Sequence, residues 1–221
     1  MTSSLEEVWR CREEEIYPAL FGSVSSHTFV LSMDLFTGVF RQSAVDPRWL
    51  HHGVQMFPPS AGRSSWVYVS SGASNPWELD PSEYASSEYS GFGTELVLET
   101  TEEAEWPVVI VQRMLAYNIL LCHGRYGESS SIDYGHRIPL KAPITLSGDS
   151  RLRNLVVGTP THYPSSFRLE SGRVDLLHFV GATDGEVAYA KQHGSTALLE
   201  KLALAGYFPV TDPTRRELDD V

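Results

Sequence analysis

The architecture turns on Ser90-Gly91-Phe92-Gly93-Thr94-Glu95-Leu96-Val97-Leu98-Glu99, followed after a short acidic run by Trp106-Pro107-Val108-Val109-Ile110-Val111. From Thr94 to Glu99 the pattern has period two, with Leu96 and Leu98 on one face and Glu95, Val97 and Glu99 on the other. Successive side chains of a strand point to opposite faces, so this predicts a half-buried strand. Glu102, Glu103 and Glu105 then precede Trp106-Pro107, and proline is favoured at the first helical position because its missing N–H had no partner there. Val108, Val111, Leu115 and Ile119 recur at helical spacing while Ile110, Met114, Tyr117 and Leu121 fill the neighbouring face. So wide an apolar arc predicts a helix packed on most sides, in spite of the β-branched run from Val108 to Val111.

Working outward, two overlapping capping pairs, Ser3 with Glu6 and Ser4 with Glu7, open a helix expected over about 4–20 and ended by Gly22-Ser23. His27 to Met33 reads as a strand, and 41–64, broken by Asp46-Pro47, Pro58-Pro59 and Gly62, reads as irregular connection. Ser65 to Ser70 is a strand candidate closed by the turn-forming Ser71-Gly72-Ala73-Ser74-Asn75-Pro76, and the polar Glu78 to Ser90 reads as a surface loop. Short strands are expected near 155–157, 166–169 and 174–180, with Ser171-Gly172 as a hairpin turn between the last two. Thr183 with Glu186 caps a helix that stops at Gly194, and Ser195 starts another that ends at Gly206. Together these predict one α+β domain, a mixed or antiparallel sheet packed by a central helix and terminal helices.

The chain has 221 residues with 17 Lys+Arg against 28 Asp+Glu, a formal charge of −11. That charge argues against nucleic acid as the main partner, because such binding needs a basic face to displace counterions from phosphates. No apolar run approaches the roughly 20 residues that would span a bilayer, and the acidic N-terminus is unlike a secretory signal, so a cytoplasmic location with no membrane partner is expected. The two cysteines, Cys11 and Cys122, are far apart and read as buried thiols rather than a disulfide or zinc site.

Eight histidines invite a metal or catalytic reading. His51-His52 would point to opposite faces of a strand, and no H-x-x-x-H or H-E-x-x-H falls on an expected helix, so no metal is expected. Gly72-Ala73-Ser74-Asn75-Pro76 lacks the second glycine of a nucleophile elbow, and Gly91-Phe92-Gly93 precedes a strand rather than opening a helix. No catalytic residue and no cofactor are therefore assigned. Binding has better material. Trp66, Tyr68, Trp77, Tyr84, Tyr89 and Trp106 supply large rings of the kind that anchor interfaces. Trp66 and Trp106 are expected in the core, whereas Trp77, Tyr84 and Tyr89 fall in the loop region and are candidate contacts.

Several marks stand in a recognisable order: Ser65-Trp66-Val67-Tyr68-Val69-Ser70-Ser71-Gly72 with Ser74; Ser90-Gly91-Phe92-Gly93-Thr94-Glu95-Leu96; Trp106-Pro107 with Gln112 and Tyr117; Gly135-His136; Phe179-Val180-Gly181; and Val210-Thr211-Asp212. As a set they resemble the Suppressor of fused (SUFU) domain family, in its bacterial form, with residues 1–64 as an N-terminal helix-and-strand extension of the domain that occupies 65–221. The resemblance implies a non-catalytic domain that grips another protein, in the animal members by holding a peptide as an added strand. It implies Tyr117 as a partner contact, with Asp133 and His136 as further candidates, although the family's acidic residue just before the histidine is replaced here by Gly135. For bacterial members it implies an immunity protein that binds and occludes a cognate toxin. The alternatives are a scaffold holding a peptide of a cytosolic regulator, or an unrecognised hydrolase.

Overall fold

The computed structural model describes residues 4–25, 28–85, 87–219 and 221. Ser3 of the first capping pair and His27 of the expected strand lie outside them. The N-terminal helical run consists of α1 (Ser4–Arg10), a π-helical segment (Cys11–Ile16) and α2 (Tyr17–Phe21). Gly22, at φ +94°, ends it as expected.

The strands are β1 (Phe29–Val30), β2 (Gly53–Phe57), β3 (Trp66–Ser71), β4 (Tyr89–Thr100), β5 (Arg137–Pro139), β6 (Asn154–Gly158), β7 (Ser166–Leu169), β8 (Gly172–Ala182) and β9 (Val210–Thr211). They form one mixed sheet in the order β1-β2-β3-β4-β8-β6-β5, with β7 beside β8 and β9 beside β4. β4 runs parallel to β8 and β9, and every other pairing is antiparallel. The hairpin at Ser171-Gly172 forms as its sequence predicts, with Leu169 opposite Gly172. The helices α3 (Trp106–Cys122), α4 (Asp184–His193) and α5 (Ser195–Leu204) complete the α+β domain. Thr183 and Glu186 make the expected reciprocal cap.

Periodicity explains the layers. Leu96 and Leu98 of β4, with Leu177 and Phe179 of β8, pack against Val111, Leu115 and Ile119 of α3 on one face. On the other, Val97 and Leu176 meet Val8, Tyr17 and Phe21 of the N-terminal helices, while Val156 and Val180 meet Leu198 and Leu202 of α5. A strand covered on both faces cannot be half-buried, and here the sequence reading is corrected. Glu95 and Glu99 are fully buried, because β4 lies in mid-sheet beneath helices on both sides.

Three further expectations change. Residues 53–57, read as irregular, form the buried strand β2, paired to β3 over its whole length. The polar stretch 78–90, read as a surface loop, gives its last two residues to β4, while the turn-forming stretch 71–76 before it is buried. Cys11 is half-buried and Cys122 exposed, since Cys122 is the last residue of α3, past the end of its apolar arc.

Candidate functional site

The buried loop after β3 is held by polar side chains from distant parts of the chain. The Glu95 carboxylate accepts from the Gly72 and Ser74 backbone N–H groups at 3.1 and 2.9 Å and from the hydroxyls of Ser74, at 2.7 Å, and Ser70. Arg12, 1% exposed, comes from the π-helical segment and donates to Ser71 Oγ (2.9 Å), Ser74 Oγ (3.1 Å) and Asn75 Oδ1 (2.7 Å). Burial pushes the Glu95 carboxyl above the usual carboxylate range, while Arg12 and the serine donors pull it back. The Ser90 hydroxyl donates to Ser74 O (2.7 Å), and Phe92 N donates to Ala73 O (2.8 Å). Gly91 passes so close to this loop that a Cβ there would lie 2.6 Å from Asn75 O. The Ser-Gly-Phe-Gly-x-Glu marks are thus structural parts of one support, which fixes the position of Trp77 and Tyr89.

The six candidate residues separate into two regions. Tyr117 of α3 and His136 line one groove of about 470 Å³, together with Leu121, Ile132 and residues 137–139 of β5. Asp133 lies on the turn leading into that groove. Its carboxylate accepts from Tyr134 N at 2.7 Å, and its own N–H donates to His136 Nδ1 at 3.2 Å, so it orients the histidine. β5 ends the strand order, and its outer side has no strand partner among the described residues. Trp77 and Tyr89 line a second cavity of about 470 Å³ beside the supported loop. Tyr84 lines neither and packs against the core around Tyr17 and Phe21.

Sequence reasoning missed the rest of the second cavity's wall: Trp49, His52, Phe92 and His123. His52 was set aside as half of an adjacent histidine pair. In the fold it is 1% exposed, and its Nδ1 donates to Arg48 O at 3.1 Å. Burial lowers its pKa to about 4, so the ring is neutral and Nε2 carries a lone pair.

One cluster combines a hydroxyl, a carboxylate and histidines. Glu99 accepts from the Ser65 hydroxyl and lies 2.9 Å from His162 Nδ1. The Tyr163 hydroxyl bonds His178 Nδ1 at 2.9 Å, and His178 Nε2 donates to Pro209 O at 2.8 Å. A nucleophile relay needs the histidine between hydroxyl and acid. Here the acid lies between Ser65 and His162, and both nitrogens of His178 are engaged. Among the described residues no group of three or more His, Cys, Asp or Glu side chains could hold a metal ion, and no helix is long and apolar enough to cross a membrane.

The family model described as Suppressor of fused protein (SUFU) matches residues 48–216, further toward the N-terminus than the sequence marks reach. No curated protein matches the chain. Solved structures share the fold, and three of them illustrate the match. Drosophila Suppressor of Fused aligns with TM-score 0.57 and 19% identity over 75% of this chain and 42% of its own, so this chain spans less than half of that protein's length. The chain in the Sufu–Fu complex gives TM-score 0.57 and 19% identity over 83% of this chain and 89% of that one. A SUFU homologue from Neisseria gonorrhoeae FA 1090 gives TM-score 0.63 and 15% identity over 98% of this chain and 97% of its own. With the match running from the helical turn before β2 to the residues after β9, the chain belongs to the Suppressor of fused protein (SUFU) family.

Proposed function

We propose that this protein is a non-catalytic binder that holds a polypeptide at the groove between α3 and β5, and that its partner is a cognate toxin which it neutralises by occlusion. The observation that carries the reading is the meeting of Tyr117 and His136 beside the outer edge of β5. A terminal strand offers unpaired main-chain groups to an added strand, while a flanking groove selects side chains. A half-buried tyrosine at the groove wall is the kind of anchor that dominates interface energetics. The net charge of −11 favours a basic partner and speeds its capture. The Sufu–Fu complex lends support from the fold family, in which a relative is found assembled with another protein.

The test is to mix the purified protein with the product of the neighbouring gene. A stable complex of fixed stoichiometry that abolishes the partner's toxicity is expected. Failure to form it counts against the toxin reading. A pull-down that instead recovers an endogenous regulator, and loses it with Tyr117→Ala, selects the scaffold reading.

A further inference from the structure

The second cavity lies apart from the groove that carries the proposed function. Its volume of about 470 Å³ falls in the range of small-molecule sites, and its surface is mostly apolar and aromatic, as such sites are. Trp49 and His52 are 2% and 1% exposed, and Phe92 stacks on His52 with the planes at 19°. Phe92 is tied to the supported loop through its N–H to Ala73 O, Trp49 packs on Phe36 and His123, and His52 bonds Arg48, so these walls are fixed by the fold.

Four of the residues that line it carry buried polar atoms with no hydrogen-bond partner: Trp49 Nε1, Trp77 Nε1, Asn75 Nδ2 and His52 Nε2. Folded proteins seldom leave such groups unpaired, and an unpaired set around one cavity asks for a cause. The first three are N–H donors that need acceptors. The fourth is an acceptor, because His52 Nδ1 already donates to Arg48 O. A planar ring bearing both an acceptor and an N–H donor can pair with members of this set while stacking on the partly exposed walls Phe92 and Trp77.

The rim adds a charge preference. Glu78, Glu83 and Glu88 border the cavity against one cation, Arg48, whose guanidinium is already engaged by Asp46 and Glu78. The excess of carboxylates selects a positive group and disfavours phosphate or carboxylate ligands.

We propose that this cavity binds a small heteroaromatic amine, its ring seated between Phe92 and Trp77 beside the edge of Trp49 and its cationic arm at the Glu78 and Glu88 rim.

The five tryptophans give a sparse set of indole N–H signals in a ¹⁵N-correlated NMR spectrum, assignable by single Trp→Phe variants. The probe is serotonin, which combines a ring N–H, a hydroxyl acceptor and an ammonium. Its anionic analogue 5-hydroxyindole-3-acetate and the ring-apolar amine phenethylamine serve as comparators. Saturable shifts of the Trp49 and Trp77 signals with serotonin are expected, with both comparators at least about tenfold weaker. Trp77→Phe keeps an aromatic wall and removes the donor, and Glu88→Gln alters only an exposed rim charge. Each should weaken serotonin several-fold without changing the fold. Absence of Trp49 and Trp77 shifts at millimolar serotonin overturns the proposal, as does equal binding of the anion or shifts confined to Trp66 and Trp106. Because Tyr117 and β5 take no part, loss of partner binding by Tyr117→Ala leaves this result unaffected, and the two readings fail separately.

Discussion

Arg12 and Glu95 lie 4.0 Å apart, both shut off from solvent, one on the N-terminal helical run and the other in the middle of the central strand. The pair joins two segments that neither sequence pattern nor proximity along the chain would connect. Between them they pair with the Gly72 and Ser74 N–H groups, the Ser71 and Ser74 hydroxyls and Asn75 Oδ1, all of them buried. Main-chain groups buried without partners cost free energy comparable to a lost hydrogen bond, so the loop can be buried only because these two side chains reach it.

Arg12→Met should therefore cost about 3–5 kcal/mol, the usual effect of leaving one partner of a buried pair uncompensated. Chemical denaturation at neutral pH measures this. Burial already raises the Glu95 carboxyl, and loss of Arg12 raises it further. A folded-state pKa above the unfolded value stabilises the protonated form, so the penalty should shrink as the pH is lowered. A pH-independent penalty would mean that Arg12 contributes packing alone.

Gly91 and Gly124 have similar left-handed backbones, φ +57° and +66°, but different surroundings. A Cβ at Gly124 meets nothing within 4 Å, whereas at Gly91 it meets Asn75 O, Ala73 O and Ser74 C between 2.6 and 2.7 Å. Gly124→Ala should cost only the conformational strain, about 1–2 kcal/mol. Gly91→Ala adds a clash with backbone that cannot rotate away, for a total of about 2–5 kcal/mol. Comparing the two thermal midpoints isolates the close approach from the dihedral angle.

The strand and helix between Thr94 and Cys122 were legible because each carries its own period. What that period could not convey was the burial of Glu95 and Glu99, whose partners Arg12, Ser65, Ser70 and His162 come from elsewhere in the chain. β2 was hidden for a local reason. Its five residues sit between His51-His52 and Pro58-Pro59, too short a run to stand out from the turn signals around it. The candidate sites were legible in half. The aromatic content of 77–89 pointed to Trp77 and Tyr89, while Trp49, His52, Phe92 and His123 come together only through the sheet and the end of α3. Their one visible trace was the His51-His52 pair, which does not have metal-ligand spacing and which no other rule took up.

His52 also gives a pH prediction. Its folded-state value of about 4 lies below the ordinary 6.5. Between these values the unfolded chain binds a proton that the folded chain refuses, so stability falls as the pH drops through the window and is fully regained above it. The difference corresponds to at most about 3 kcal/mol. Buried His178 is lowered in the same direction, so wild type should lose stability from both rings, and His52→Gln should keep only the His178 part. Urea midpoints across the window measure the change in slope, and an unchanged slope in the variant would assign the acid sensitivity elsewhere.

The groove prediction separates contact from charge. Tyr117 is half-buried, with its ring 5.5 Å from that of Tyr126, and it lines the groove beside β5 while packing against the margin of the core. Tyr117→Ala should therefore fold and yet weaken the partner complex by about tenfold or more, mainly through faster dissociation. Raised salt should act on the other rate. With −11 net charge, association with a basic partner slows as ions screen the attraction, while dissociation changes little. Surface plasmon resonance on the wild type at two salt concentrations and on the variant at one distinguishes these effects. A variant with an unchanged dissociation rate would move the interface away from β5, and a salt-independent association rate would remove the argument for a basic partner.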